Sequence, residues 1–440
     1  MKKITKLFFS TLAVILYGGL ISGPAASGSD LQKTYSWKYA INKDASVVLN
    51  NYDCNLTVHT WDKGEAEFHL TVDAETRSAD DAVILDNYIE NLKFSNSATS
   101  VKFKNIFWET RNNIMGRMTM KLEGGKDVDL KEFTMKCELW IPSGCRFELT
   151  SQYSEIIMED FSGLLFLDLY NDNLYGANIG GKAEIKDKYS TIDFKDMKDI
   201  RADLYNSRLE AENTGNLKID SKYSKVTAVT SGILDILSYN DKYSFTKTGD
   251  ITFVAKYSDL RTESSGQISL DIYDGSVILK EGKDIKITSK YADFQIGGAG
   301  NLSITSSYND KLVTGKLNSL KINESKYCSF RIDELINNLT ETDGYNDKFT
   351  ILKTGNEFKE FSVSGKYVDI TLSLSKTTDY RFRAKIQYPK LEINESQLKP
   401  IVKVQEGSQL EYNAVKGTEK EGMPLIEANG YQMSLKIVEL

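Results

Sequence analysis

The chain is predicted to be all-β, a parallel β-solenoid of 17-residue coils between β-rich N-terminal and C-terminal capping regions. Three observations predict it. Gly215, Gly232, Gly249 and Gly266 recur every 17 residues. Apolar residues come in pairs two apart, as in Leu217/Ile219, Ile251/Phe253 and Ile285/Ile287, which is the spacing of one face of a strand. A second such pair follows in each repeat, as in Ile192/Phe194 and Val226/Ala228. Two short strands per repeat make one coil, and a single coil has nothing to pack its inner face against until others stack on it. An antiparallel sandwich would not hold one period over so many coils. Parallel pairing sets rungs ~4.8 Å apart, so about ten regular coils make a rod of roughly 45 Å.

The elements follow in order. Residues 1–28 read as a secretory signal peptide: Lys2, Lys3 and Lys6 precede a short apolar run, and small residues from Ala25 to Gly28 offer cleavage sites. The run is short for a membrane anchor, and no later segment is apolar enough to span a bilayer. Residues 29–133 are expected to be β-rich, with alternation in SVVLNNYDCNLTVHTW and EAEFHLTVDA. Within them SADDAVILDNYIENL predicts a short helix, capped at Ser78 with Asp81 and carrying Ala82, Leu85 and Ile89 on one face. The stretch 105–133 reads as an irregular excursion. The solenoid is expected over 134–375, and 376–440 as a β cap unrelated to the repeat, covering the last rung so that its backbone is not left open.

Composition narrows the function. The net charge is −7, from 55 basic and 62 acidic residues with no basic block, so nucleic acid is not an expected partner. Four cysteines (Cys54, Cys137, Cys145, Cys328) allow three pairings. Cys137 and Cys145 flank the WIPSG turn and could meet across it, or remain thiols; Cys328 stands where neighbouring repeats have Ser and reads as a small corner residue. The only histidines are His59 and His69, little material for a catalytic triad or a zinc centre, and both are expected as exposed or packed strand residues. No cofactor or metal site is expected. Asp172, Asp241, Asp310 and Asp347 recur after Tyr-Asn, which suits tight corners. A catalytic site would break the repeat and grow loops on one side, and coils 147–300 carry almost no insertions. An enzyme is therefore not expected.

The stretches YAINKDASVVLNNYDCNLTVHTWDKGEAEFHLTVDAET and CELWIPSGCRFELTSQYSEIIMEDFSG, and the short coils after them, resemble the putative adhesin family of unknown function, head-GIN-domain-like exported β-solenoid proteins of Bacteroides-type bacteria. The resemblance covers most of 37–375. It implies a right-handed, parallel β-helix-like fold and a periplasmic or surface role, and it supplies no catalytic residues. The chain departs from that family in using Tyr-Ser and Tyr-Asn-Asp at corners where Gly followed by Ile or Val is usual.

The tyrosines step by one residue within a constant frame. One column reads Tyr170, Lys188, Tyr205, Lys222, Tyr239, Lys256, Tyr273, Lys290. Its neighbour reads Tyr153, Asn171, Tyr189, Asn206, Tyr223 and onward in antiphase. The first column has outward parity, and the second is expected to turn in at the corner. Alternation would place lysines about 9.6 Å apart, each ammonium between rings above and below. These eight residues are the candidate binding site, either as a stabilising column alone or as a platform for sugar rings with lysines for acidic groups. The expected function is an exported, non-enzymatic binding or adhesion scaffold whose partner is a glycan or an envelope protein. A structural or assembly protein of the envelope is the alternative, and a carbohydrate-active enzyme on a β-helix the third reading. A pull-down from envelope extracts separates the first two.

Overall fold

The computed structural model describes residues 29–114 and 117–440, so the expected signal peptide lies outside the described residues. The fold is all-β, a parallel solenoid of about 13 turns with ~18-residue coils. Its regular coils hold one register. Leu217, Leu234, Ile251, Ile268 and Ile285 pair in sequence down one column, and Ile219, Ile236, Phe253, Leu270 and Ile287 down the next. All ten are at most 3% exposed. Each strand therefore buries alternate side chains against the strands of the turns above and below, as the two-residue spacing requires. The glycine corner is tight: a Cβ on Gly232 would stand 3.0 Å from the backbone of Gly215.

Before the regular coils, Ser46–Tyr52 and Asn55–Trp61 form a rung in parallel register with Arg146–Gln152 and Glu155–Met158. Beyond it lies a rung of two segments distant in sequence. Ser100–Lys104 supplies one strand and the end of Asp127–Pro142 the other. Ser29–Ala40, Glu65–Thr76 and Asp127–Pro142 make an antiparallel sheet at this end, and the helix Ala79–Glu90 lies against it with Leu85 and Ile89 buried. Ser78 accepts from the Asp81 amide, as the capping pattern predicts. The expected irregular excursion is more ordered than its sequence suggests. Its described residues include an antiparallel hairpin, Trp108–Ile114 with Arg117–Leu122, that continues onto Asp127–Pro142.

The C-terminal residues also depart from the expectation that they lie outside the repeat. Leu425–Tyr431 and Ser434–Glu439 pair in parallel on Glu360–Lys366 and Asp369–Leu374. Tyr380–Gln387 and Lys390–Glu392 then stack on them. These rungs are laid down in reversed sequence order, which hides their period. The strand Gln409–Lys416 runs antiparallel along Tyr380–Gln387 and covers the open edge there. No helix among the described residues is long and apolar enough to cross a membrane.

Candidate functional site

The corner between the two strands of each coil carries the chemistry. The residue after the first strand has positive φ in coil after coil: Tyr153 58°, Asn171 55°, Tyr189 66°, Asn206 52°, Tyr223 56°, Asn240 59°. Asn adopts this left-handed conformation readily, whereas a tyrosine pays about 1–2 kcal/mol for it. Its ring contacts offset that cost. From Tyr153 to Tyr367 every turn contributes one ring to a continuous row. Centroids are 5.4 to 5.8 Å apart and planes are inclined by 72° to 85°. Tyr52 extends the row at one end, Tyr431 and Tyr388 at the other. Edge-to-face pairs of this kind contribute about 0.5–1.5 kcal/mol each.

The antiphase of the two sequence columns explains the row. Were all rings drawn from one backbone position, identical rings would lie face to face at the rung spacing, an arrangement the ring quadrupole disfavours. Drawing them alternately from the last strand residue and from the left-handed corner residue turns each ring by nearly a right angle to the next.

The eight candidate residues lie in one column in strict register, each Tyr paired with the Lys of the next coil, and all eight are exposed. Two expectations are corrected. The second column does not turn inward: Tyr153, Tyr189, Tyr223 and Tyr257 are 44 to 46% exposed, more than Tyr170, Tyr205, Tyr239 and Tyr273 at 37 to 39%. A positive φ swings the side chain out beside its neighbour. The lysines do not sandwich between rings either. Among the described residues none of Lys188, Lys222, Lys256 and Lys290 lies over an aromatic ring. Each outward ring instead meets a corner ring of the second column at a steep angle on either side. Partial desolvation, and then the neighbouring phenols, push the hydroxyls of Tyr153, Tyr223, Tyr257 and Tyr291 above the usual phenol range.

Behind the row, the residue after each left-handed position points inward, and its amide faces the interior. Asp172 accepts from the amides of Ser154 (2.8 Å) and Tyr170 (3.1 Å). Asp241 does the same for Ser224 (2.6 Å) and Tyr239 (3.0 Å), and takes the hydroxyls of Ser221 and Ser238. Asp310 and Asp347 repeat the pattern, with Ala292 and Tyr308, and with Cys328 and Tyr345. Where the next coil has Ser, its hydroxyl accepts instead, as Ser258 does from Asp241. The recurrent aspartates are corner residues that satisfy buried amides. Burial raises the carboxyls of Asp172, Asp310 and Asp347, those of Asp172 and Asp347 to about 6.

Elsewhere, His59 and His69 meet on the Trp140 ring, at 4.7 and 4.5 Å between centroids, and each contacts a glutamate, Glu159 and Glu67, at 2.8 Å. An open groove of about 660 Å³ lies over the second strands, lined by Arg261, Lys280, Asp293, Lys311 and Asp333. Among the described residues no three His, Cys, Asp or Glu side chains are grouped to hold a metal. The sequence reading missed the outward corner tyrosines. Their regular alternation with Asn, a residue tolerant of left-handed backbone, was the available signal.

No family model matches the chain, and no curated protein does. Comparison with solved structures returns distant matches. A putative cell adhesion protein from Clostridium sporogenes shares 8% identity over 93% of this chain and 100% of its own, with a TM-score of 0.16. A putative adhesin from Parabacteroides merdae shares 11% over 68% and 96%, with a TM-score of 0.22. A putative lipid binding protein from Parabacteroides distasonis shares 9% over 68% and 95%, with a TM-score of 0.20. Superpositions this weak carry no argument about function. The chain is similar to solved proteins described as putative adhesin, cell adhesion and lipid binding proteins.

Proposed function

We propose that the chain is an exported, non-enzymatic binding scaffold of the periplasm or cell surface whose tyrosine edge holds an extended glycan along the rod. The observation that carries this is the unbroken row of rings, one per turn and exposed from Tyr153 to Tyr291, with a lysine at every second turn. In a herringbone row the edges of one set of rings cover the faces of the other, so only one set offers faces to a ligand. Those faces recur every two rungs, about 9.6 Å, and so do the lysines. An extended chain of β-linked sugars advances by close to one rung per residue, so alternate sugars meet a ring, and acidic groups on the chain meet ammoniums of the same period. Lys188, Lys222, Lys256 and Lys290 supply that charge beside Tyr170, Tyr205, Tyr239 and Tyr273.

The test is affinity electrophoresis in gels containing hyaluronan, mannuronate-rich alginate or a neutral β-glucan. The protein is expected to be retarded by the acidic polymers, less so as salt rises. Changing Tyr205, Tyr239 and Tyr273 together to Ala is expected to weaken retardation at least tenfold, since three ring contacts of ~0.5–1.5 kcal/mol are lost, while the β circular dichroism stays intact. No reducing ends are expected to be released. Equal retardation of the variant and the parent, or none by the parent, refutes the proposal.

A further inference from the structure

Two of the four cysteines meet where the fold lacks chain continuity. Cys54 follows the first strand of its rung and occupies the inward corner position that serines and aspartates fill in later coils. Cys137 lies on the discontinuous rung beyond it, beside Leu56 in the parallel register. Their sulfurs are 2.7 Å apart, and both residues are at most 2% exposed. Unbonded sulfurs do not pack this closely, and a closure of under ~1 Å brings them to disulfide length. Cys145, the partner weighed for Cys137 from sequence, is buried separately.

The location gives the pair a purpose. In the regular coils the corner is spanned by the backbone. In the discontinuous rung the chain leaves the corner at Asn105 and returns near Lys136. Asn105 is fully buried there, and its side chain bonds to Asn51 and to both the amide and the carbonyl of Tyr52. Nothing covalent joins the returning strand to the corner. We propose that Cys54 and Cys137 form a disulfide that staples the returning strand to the first complete rung. The bond closes a loop whose ends are 83 residues apart and which contains the helix and the Trp108–Leu122 hairpin.

The chemistry is thiol–disulfide exchange with a small-molecule disulfide such as oxidised glutathione. One protein thiolate attacks the glutathione disulfide, forming a mixed disulfide and releasing one glutathione. The second thiolate attacks the protein sulfur of that mixed disulfide and releases the other. Two protein thiols are oxidised, and two glutathiones carry away the electrons and protons. Burial holds the Cys137 thiol well above its usual value, so the exchange belongs to folding, before the rung closes over it.

The experiment refolds the full chain from denaturant with oxidised glutathione, and separately with reduced glutathione. The expected result is two free thiols after the first and four after the second, and a single linked peptide pair carrying Cys54 and Cys137. Reduction is expected to lower the melting temperature of the first product. Changing Cys145 and Cys328 together to Ala should leave the link in place, and Cys54→Ala should abolish it. If Cys54→Ala does not fold, the parent's thiol count and peptide map still decide. Four free thiols after oxidative refolding, or a link between Cys137 and Cys145, overturns the proposal.

Discussion

Replacing Phe253 with alanine is expected to lower stability by ~3–5 kcal/mol, the usual range for a fully buried aromatic. Phe253 is 0% exposed and stands between Ile236 and Leu270 in its column. Its ring meets the edge of Tyr243 at 5.6 Å and 82°, and Tyr243 in turn reaches the Ser221 and Asp241 corner. The vacated space therefore borders a buried polar cluster and cannot collapse without disturbing it. Val254, the next residue, points outward and is 41% exposed. Val254→Ala is expected to change stability by about 0.5 kcal/mol or less. Paired denaturant titrations of the two variants provide the check. Similar losses would contradict the assigned strand parity.

The second large effect is a loss of stability with rising pH. Glu341 is 3% exposed. One of its oxygens contacts the Ser325 hydroxyl, which also lies 3.0 Å from Asp347, and its other oxygen has no partner among the described residues. One hydroxyl proton cannot serve two carboxylates, so the arrangement suits a protonated Glu341. Burial first, and then the nearby Asp347 and Asp343 charges, raise its carboxyl from 4.5 to about 8. Between those values the unfolded chain is ionised while the folded one keeps its proton. Stability contributed by the neutral form is thus complete below about pH 4.5, falls as pH rises, and is fully lost above about pH 8. Each unit of displacement corresponds to about 1.4 kcal/mol, several kcal/mol in all. Asp172 and Asp347 add to the trend over a lower window, up to about pH 6. Melting at pH 5 and pH 9 should show the drop, and Glu341→Gln should remove most of it and stabilise the protein at pH 9. Parallel pH profiles for parent and variant would exclude Glu341 as the source.

The regular coils were legible in the sequence because their physics is local and periodic. Two apolar residues two apart, repeated at 17, leave one way to make a core, and the columns through Leu217 and Ile219 are those the period marks out. The candidate column was legible by parity for the same reason. The direction of Tyr189 and Tyr223 was not, because it depends on a backbone dihedral instead of on alternation. The contact between Cys54 and Cys137 was not legible either. Their rung is assembled from strands separated by a helix and a hairpin, and no period joins them. Leu425–Tyr431 and Tyr380–Gln387 escaped the repeat because they enter the stack in reverse order.

The tyrosine row also has an optical consequence. Neighbouring phenols at contact distance exchange excitation readily, so light absorbed by any ring travels along the rod and loses its polarisation. The four tryptophans, Trp37, Trp61, Trp108 and Trp140, all lie in the N-terminal part of the chain, and indoles accept energy from phenols but do not return it. The rod is thus an antenna with a single sink. Its tryptophan emission under tyrosine excitation reports whether the row is intact, and a break in the row lowers the share that the rings beyond it contribute.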